Sequence, residues 1–560
     1  MADLILGLCA FLHDSSASLF VDGKFVGFSE EDKLVQEKHY GGFPQKTIDW
    51  LLNQASATYK SVGAVGYYWN GQLIAEAFAA GDRSTQPRGG ESCEYYKKIL
   101  SRHQDRTSKL SDKFPNAKIF EIPHHRSHGL YAFCASPYPE AAVITIDSLG
   151  EGISTTIAEV KDGKYRELLR IHDPHSLGFL YGAVCEHLGY RRNDEEGTIM
   201  ALAGYGDAKR YKPLLDEIVR LDPKGFSLDT AFLHSRASAA KLGSRLSDQF
   251  VQRSFPRRPH NTALLQEHAD LAASLQEKTK EAIFHLVGLA HNLTRLPFLC
   301  VSGGVALNCA AMGYIRARGP FSDVFVPPAP GDTGTAIGAA LGVMEEQYGS
   351  LPKVNLPHRS GPSLKSNQVA DYLVEKGIGF SRLVNVSAHV AAELAKGKIV
   401  ALFEGPQEIG PRALGARSIL APCFPEEMRG RINEKIKLRE TFRPVAPIVL
   451  RERMRDWFEF DWDCKYMSFA VPVREKQRAL IPSALHVDGT ARVQTVDRAD
   501  FPLLHEVLAA YERITGIPVL LNTSLNLKGK PTASDIDAAM SCFAAGDIDA
   551  IVIEDLIVTQ

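Results

Sequence analysis

A chain of 560 residues with 45% hydrophobic and 23% charged content has globular composition, and its length favours two or more cores over one. A formal net charge of −2 gives no global drive toward a polyanion and argues against a dedicated nucleic-acid binder. Nine cysteines with no C-x-x-C pair argue against zinc ribbons and thioredoxin-type motifs and suit reduced thiols in a cytoplasmic protein.

The N-terminal MADLILGLCAFLHD starts as a strand without a basic leader region, so it is not expected to be a signal peptide. No run reaches the roughly 18 apolar residues of a membrane span. LILGLCAFLHDSSASLFVDGKFVGFSEE predicts a buried strand, a small-polar turn, a second strand, an Asp-Gly turn and a third strand. AVITIDSLGEGISTTIAEVKDGKYRELL repeats that order, with Asp22 and Asp162, and Leu6 and Ile146, each 140 residues apart. The echo suggests a duplicated fold of the actin, sugar-kinase and Hsp70 type, although any two β-hairpins look alike.

Between the repeats, HHRSH after KIFEIP predicts a helix beginning near His124. Leu264 to Leu293 reads as a long amphipathic helix, followed by the strand PFLCVSGGVALN and two glycine turns that open helices. GSLPKVNLPHRSGPSLKSN, from Gly349 to Asn367, has no periodicity and suits a linker. The expected organisation is a first domain over 1–350, a linker over 351–368 and an α/β domain over 369–560. In the last, Ser387 is expected to cap a helix ending near Gly397. KIVALFEG and PVLLNTSLN read as strands, and Phe501 to Ile514 reads as a helix.

Four constellations carry chemistry. His124 and His128 fall one turn apart on one helix face, while Asp147 ends a strand and Asp332 lies in the turn PGDTGT. Two imidazoles and two carboxylates suit iron(II), manganese or zinc; an isolated H-x-x-x-H pair is more often an ordinary helix surface. The turns Ser302-Gly303-Gly304 and Gly331-Asp332-Thr333-Gly334 offer bare backbone N–H groups at helix starts, where phosphate binds. His13, with Asp14 beside it in the first turn, is placed to serve as a general base or as a hydrogen-bonded turn residue. Arg412, Arg417, Lys437, Arg439, Arg443 and Arg492, with Asn522, Ser524 and Asn526, supply donors for several phosphate oxygens. No Walker loop accompanies them.

LHDSSASL, HHRSH, VITIDSLGEG, SGGVALNC, PGDTGTAIGAAL, EIGPRALGARSIL, RETFRPVAP, DGTARVQTV and LLNTSLN together resemble the NodU/CmcH family of O-carbamoyltransferases over nearly the whole chain. The resemblance implies an N-terminal Kae1-like domain of actin-type fold and a C-terminal domain like YrdC and Sua5. It implies that His124, His128, Asp147 and Asp332 bind iron and that His13 serves the transfer step. It also implies that Arg412, Lys437, Arg492, Asn522 and Ser524 bind carbamoyl phosphate and ATP, the latter with magnesium. The reaction implied is formation of carbamoyl adenylate followed by transfer to a hydroxyl of a natural product. Departures from the family pattern occur at Ser148-Leu149, Thr198-Ile199 and Pro406-Gln407. Tyr68 to Glu94 and Arg236 to His260 are the stretches expected to select the acceptor, which the sequence does not name. No nucleic-acid or membrane partner is expected, and a homodimer is compatible with the sequence. Alternative readings are tRNA threonylcarbamoylation, hydrogenase-maturation carbamoylation and an actin-like ATPase scaffold. The basic stretch from Arg236 to Arg258 is the feature that would serve tRNA.

Overall fold

The computed structural model describes residues 3–82, 89–352 and 354–560. Within the two stretches singled out above, residues 83–88 of Tyr68 to Glu94 and residue 353 of the linker lie outside the described residues. The chain divides into two compact units, one of residues 1–27 and 41–356, the other of Phe28–Tyr40 and Pro357–Gln560.

The first unit holds two mixed sheets. β1 (Leu4–Cys9), β2 (Ser16–Val21), β3 (Lys24–Glu30), β4 (Ala64–Tyr67) and β5 (Lys118–Glu121) run in the order β3-β2-β1-β4-β5. β1 pairs antiparallel with β2 and parallel with β4, which pairs parallel with β5. β6 (Ala141–Gly150), β7 (Ile153–Lys161) and β8 (Lys164–His172) form an antiparallel meander. After a ribbon of β9 (Val219–Asp222) and β10 (Gly225–Leu228), β11 (Phe298–Ser302) and β12 (Asp323–Phe325) extend that sheet with parallel pairing, giving β12-β11-β6-β7-β8. The sequence marks both hairpin turns correctly. Asp22 and Gly23 take φ of 49° and 74°, Asp162 and Gly163 take 52° and 69°, as a two-residue turn between twisted strands requires.

β1 is buried along its whole length, which is why its run of apolar residues does not alternate with polar ones. The helix Thr335–Tyr348 packs against β1, β4 and the helix His124–Cys134. A Cβ on Gly338 would stand 1.7 Å from the Ser127 carbonyl oxygen, so the two helix backbones touch there. The long helix runs over Gln266–Thr294 and ends on Arg295 in the left-handed conformation.

In the second unit, β13 (Ser381–Arg382), β14 (Val400–Phe403), β15 (Arg417–Pro422), β16 (Ala446–Leu450), β19 (Gln494–Val496), β20 (Val519–Ser524), β21 (Ala550–Ile553) and β22 (Leu556–Thr559) form one mixed sheet. Its order is β13-β22-β21-β14-β15-β20-β16-β19, and β17 (Ala470–Pro472) with β18 (Thr490–Arg492) forms a separate ribbon. Leu402, Leu420, Ile448 and Leu520 of the sheet pack with Leu394, Val507 and Leu508 of the helices Val386–Ala395 and Pro502–Thr515. Burying each such side chain contributes about 1.5–3 kcal/mol. Ser387 is not the cap of the first of these helices. Asn385, two residues earlier, accepts the Ala388 N–H at 2.9 Å, and Ser387 already lies in the first turn. Among the described residues no helix is long and apolar enough to cross a membrane.

Candidate functional site

The helix His124–Cys134 starts directly after Pro123, where the missing proline N–H is no loss. It carries His124 and His128 on one face, with their Nε2 atoms 3.2 Å apart. Asp147 Oδ2 lies 3.1 Å from His124 Nε2, and Asp332 Oδ1 lies 3.7 Å and 3.5 Å from the Nε2 atoms of His124 and His128. One ligand atom from each of the four residues falls within 4.8 Å of all the others. Zinc–nitrogen bonds of about 2.0–2.1 Å place neighbouring ligands about 3.3 Å apart around a tetrahedral ion, so the set fits a divalent cation. Burial resists charge on His124, yet Asp332 and Asp147 raise its pKa to about 9. Burial likewise opposes ionisation of Asp147, yet the His124 hydrogen bond and charge hold its carboxyl well below the usual range. A site that stabilises an imidazolium in this way would stabilise a metal ion in the same place.

The other residues singled out in this unit gather around the same cluster. His13 gives Nδ1 to Asp14 Oδ2 at 2.8 Å and turns Nε2 toward Asp332 Oδ2 at 3.7 Å. Burial works against its charge, but Asp332 and Asp14 raise it to about 9. The two glycine turns meet at Pro330, whose carbonyl accepts from the Gly303 N–H at 2.8 Å and the Ser302 hydroxyl at 3.1 Å. Gly303 has φ of 90°, and Gly331 directly precedes Asp332. The Gly304 N–H donates to Asp147 Oδ1 at 3.2 Å. That amide therefore orients a carboxylate of the candidate metal cluster, a use that the sequence does not mark.

Two contributors that the sequence did not mark, Glu151 and Gly150, and three from the stretches expected to select the acceptor, Tyr68, Trp69 and Arg236, adjoin the cluster. Glu151, 2% exposed, accepts the N–H of Asn70 at 2.8 Å and that of His124 at 3.0 Å. Burial raises its pKa to about 7. An acid in a Gly-rich turn reads as solvent-facing, and only the fold shows that the turn closes on a helix start. Beside it, a Cβ on Gly150 would lie 2.4 Å from His124 Cδ2. Tyr68 and Trp69 place their rings 5.5 Å and 5.8 Å from the His124 ring. Arg236 donates to the Ser148 carbonyl at 2.5 Å, pairs with Asp173 at 2.7 Å and lies over the Phe179 ring. That contact joins the Arg236 to His260 stretch to the residue after Asp147.

The second unit concentrates positive charge. Lys437 is 7% exposed and donates to Asn526 Oδ1 at 2.7 Å, the Ser524 hydroxyl at 3.2 Å and the Ser524 carbonyl. Burial lowers its pKa to about 7, helped by the charges of Arg439, Arg443 and Lys38. Burial also lowers Arg439 to about 9, with repulsion from Arg443, Arg492 and Arg412. Lys437, Arg439, Arg443, Arg492 and Arg412 thus share one electropositive place, and Ser524 joins them through Lys437.

Arg417 and Asn522 do not stand with them as phosphate donors, contrary to expectation. The Arg417 guanidinium is fully buried over the Phe403 ring at 3.6 Å and donates to the carbonyls of Glu404, Ala416, Pro362 and Gly405. Asn522, 1% exposed, gives its amide to the Ala413 carbonyl and Gln494 Oε1. Both hold the GPRALGARS loop from behind. The spacing of polar residues in a motif does not reveal which face of the loop each one serves.

The carbamoyltransferase N-terminus model matches residues 4–341 and the carbamoyltransferase C-terminus model residues 391–560. An uncharacterized protein of Synechocystis sp. is 32% identical over 99% of this chain and 96% of its own length. Nodulation protein NolNO of Sinorhizobium fredii is 33% identical over 98% of this chain and 79% of its own length. Nodulation protein NolO of Bradyrhizobium diazoefficiens is 34% identical over 78% of each. Matches of this extent define an enzyme that moves a carbamoyl group from a donor to an acceptor. The chain belongs to the carbamoyltransferase family, the O-carbamoyltransferases that its motifs resemble.

Proposed function

We propose that this chain is an ATP-dependent O-carbamoyltransferase that modifies a hydroxyl of a small natural product. The observation that carries the reading is the presence, in one chain, of the His124/His128/Asp147/Asp332 cluster and the cationic pocket around Lys437. The shared strand order of the two sheets supports a duplicated actin-type, Kae1-like fold for the first unit as the transfer domain. We assign to the YrdC-like second unit the formation of carbamoyl adenylate.

Release of both phosphate and pyrophosphate requires one water. It cleaves carbamoyl phosphate to carbamate and phosphate; a carbamate oxygen then attacks the α-phosphorus of ATP and expels pyrophosphate. Lys437, Arg412, Arg439, Arg443 and Arg492 bind the phosphate oxygens and stabilise the charge on the departing groups, with magnesium accompanying ATP. In the first unit the acceptor oxygen attacks the carbamoyl carbon and AMP departs. Asp14 accepts the Nδ1–H of His13 and so presents Nε2, which in the neutral imidazole, the form that gains as pH rises toward 9, accepts the hydroxyl proton. His124, His128, Asp147 and Asp332 would hold iron(II) or another divalent ion, which supplies Lewis acidity and a template for substrate oxygens.

Threonylcarbamoylation of tRNA is less well supported. Across the stretch that would face RNA, Arg236 pairs with Asp173, Arg245 with Glu186 and Arg253 with Glu217, and Arg258 donates to the carbonyls of Leu188 and Thr262. The test is phosphate and pyrophosphate release from the full chain given ATP, magnesium and carbamoyl phosphate, each omitted in turn. Pyrophosphate that requires carbamoyl phosphate supports adenylation. ADP formed without it removes the reading in favour of an actin-like ATPase.

A further inference from the structure

We infer that Phe28–Tyr40 is a working strap of the second unit's phosphate site, in which Glu30 and Lys33 are positioning residues for the loop that carries Arg412. The inference rests on the adenylation reading above. The side chains of Lys33 and Glu30 are 6% and 4% exposed and pair at 2.6 Å. Lys33 Nζ donates to the carbonyls of Glu408 at 2.9 Å and Gly410 at 2.8 Å, while Glu30 Oε1 accepts the Gly410 N–H at 2.8 Å. The pair therefore grips Gly410 through both its N–H and its carbonyl. At the far end of the loop, Glu408 Oε1 accepts the N–H groups of Leu414, Ala416 and Arg417 at 2.9, 2.7 and 3.0 Å. Between these clamps lies Arg412, the only charged residue from Gly410 to Ala416.

The strap reaches the loop after β20 as well. Gln36 Nε2 donates to the Thr532 carbonyl at 3.2 Å, and Lys530 Nζ donates to the Gln36 carbonyl at 3.1 Å. The Lys530 carbonyl accepts from Asn526 Nδ2 at 2.7 Å, and Asn526 Oδ1 receives Lys437 at 2.7 Å. One segment thus braces both the arginine loop and the lysine's acceptor. A buried ion pair is a weak source of stability, since neutral replacements are often as stable, but it fixes position.

The test compares the full wild-type chain with E30Q/K33M, R412A and their combination, in carbamoyl phosphate-dependent pyrophosphate release. E30Q/K33M should raise KM for carbamoyl phosphate about tenfold to a hundredfold, because small misplacements of a positioned group have effects of that size. R412A should add little in that background, and K33R, which keeps two donors, should recover most of the affinity. An unchanged KM, strap and Arg412 factors that multiply, or no recovery by K33R overturns the inference. If E30Q/K33M does not fold, K33Q, which leaves Glu30 bonded to Gly410, is compared in the same way. If the wild type releases no pyrophosphate, the adenylation reading fails. The strap is then judged by calorimetric binding of pyrophosphate, which E30Q/K33M must weaken by the same factor.

Discussion

Glu151 receives the backbone N–H of His124 at 3.0 Å and that of Asn70 at 2.8 Å, tying the start of the ligand-bearing helix to the loop after β4. A carboxylate at a helix N-terminus is favoured by the helix dipole. Glu151→Gln keeps the shape but removes the charge and turns an amide NH2 toward one of two donors. We expect zinc or iron(II) affinity, measured by chelator competition, to fall about tenfold to a hundredfold, as for other supports of metal ligands. An affinity equal to wild type would show that Glu151 does not hold the site.

Addition of a divalent cation should stabilise the wild-type protein against heat. At a hundredfold excess over Kd, the linkage is worth about 2.7 kcal/mol. His128→Ala removes one of the two facing nitrogens and should abolish the rise in Tm, whereas an exposed histidine such as His172 can be replaced with the rise intact. A rise preserved in His128→Ala would place the cation elsewhere.

Lys437 links the second unit to pH. Its pKa is about 7 in the folded protein against an ordinary 10.5, so across that window the unfolded chain binds a proton that the folded chain has lost. Stability attributable to this group therefore rises as pH increases from about 7 toward 10.5 and is level below 7. A phosphate ligand favours the charged form, so ligand binding near pH 8.5 should take up a proton. Calorimetry of pyrophosphate binding in buffers of different ionisation enthalpy measures that uptake, and Lys437→Met should eliminate it.

Arg417→Met should damage the fold and not the substrate affinity. It leaves the carbonyls of Glu404, Gly405, Ala416 and Pro362 without the guanidinium. The loss should be about 1–3 kcal/mol for each buried carbonyl left without a donor. Urea denaturation followed by a probe in the second unit checks this. A large rise in KM with unaltered stability would return Arg417 to the phosphate site.

Gly338→Ala probes the close contact of the two helices. With a Cβ 1.7 Å from the Ser127 carbonyl oxygen, the helices must separate, and overpacking of this kind costs about 1–3 kcal/mol or more. His128 follows Ser127 directly, so metal affinity should fall together with Tm. A change in Tm alone would mean that the ligand helix shifts as a rigid body.

The local turns and the shared helix face of His124 and His128 were legible because each depends on residue type at one place. Asp22-Gly23 and Asp162-Gly163 announce hairpins, and His124 with His128 announces one helix face. Facing directions within loops were not legible. Arg412 and Arg417 stand five residues apart in the same motif, yet Arg417 is buried among carbonyls and the charge of Arg412 bears on Arg439. Long-range partnerships were equally hidden. Nothing near Lys33 in sequence indicates that its ammonium donates to Gly410, or that Glu151 closes on His124.

The membership of Phe28–Tyr40 in the second unit also has a consequence for synthesis. The ribosome completes this segment and then residues 41–356 of the other unit before its partners from Pro357 onward emerge. At about 5–20 residues per second the interval is roughly 15–60 s. Throughout that time Glu30 and Lys33 have no Gly410 to hold, and Phe28, 1% exposed in the finished fold, lacks its place against Ser360. Phe28–Tyr40 thus waits for the rest of its own unit until the residues from Pro357 onward are made.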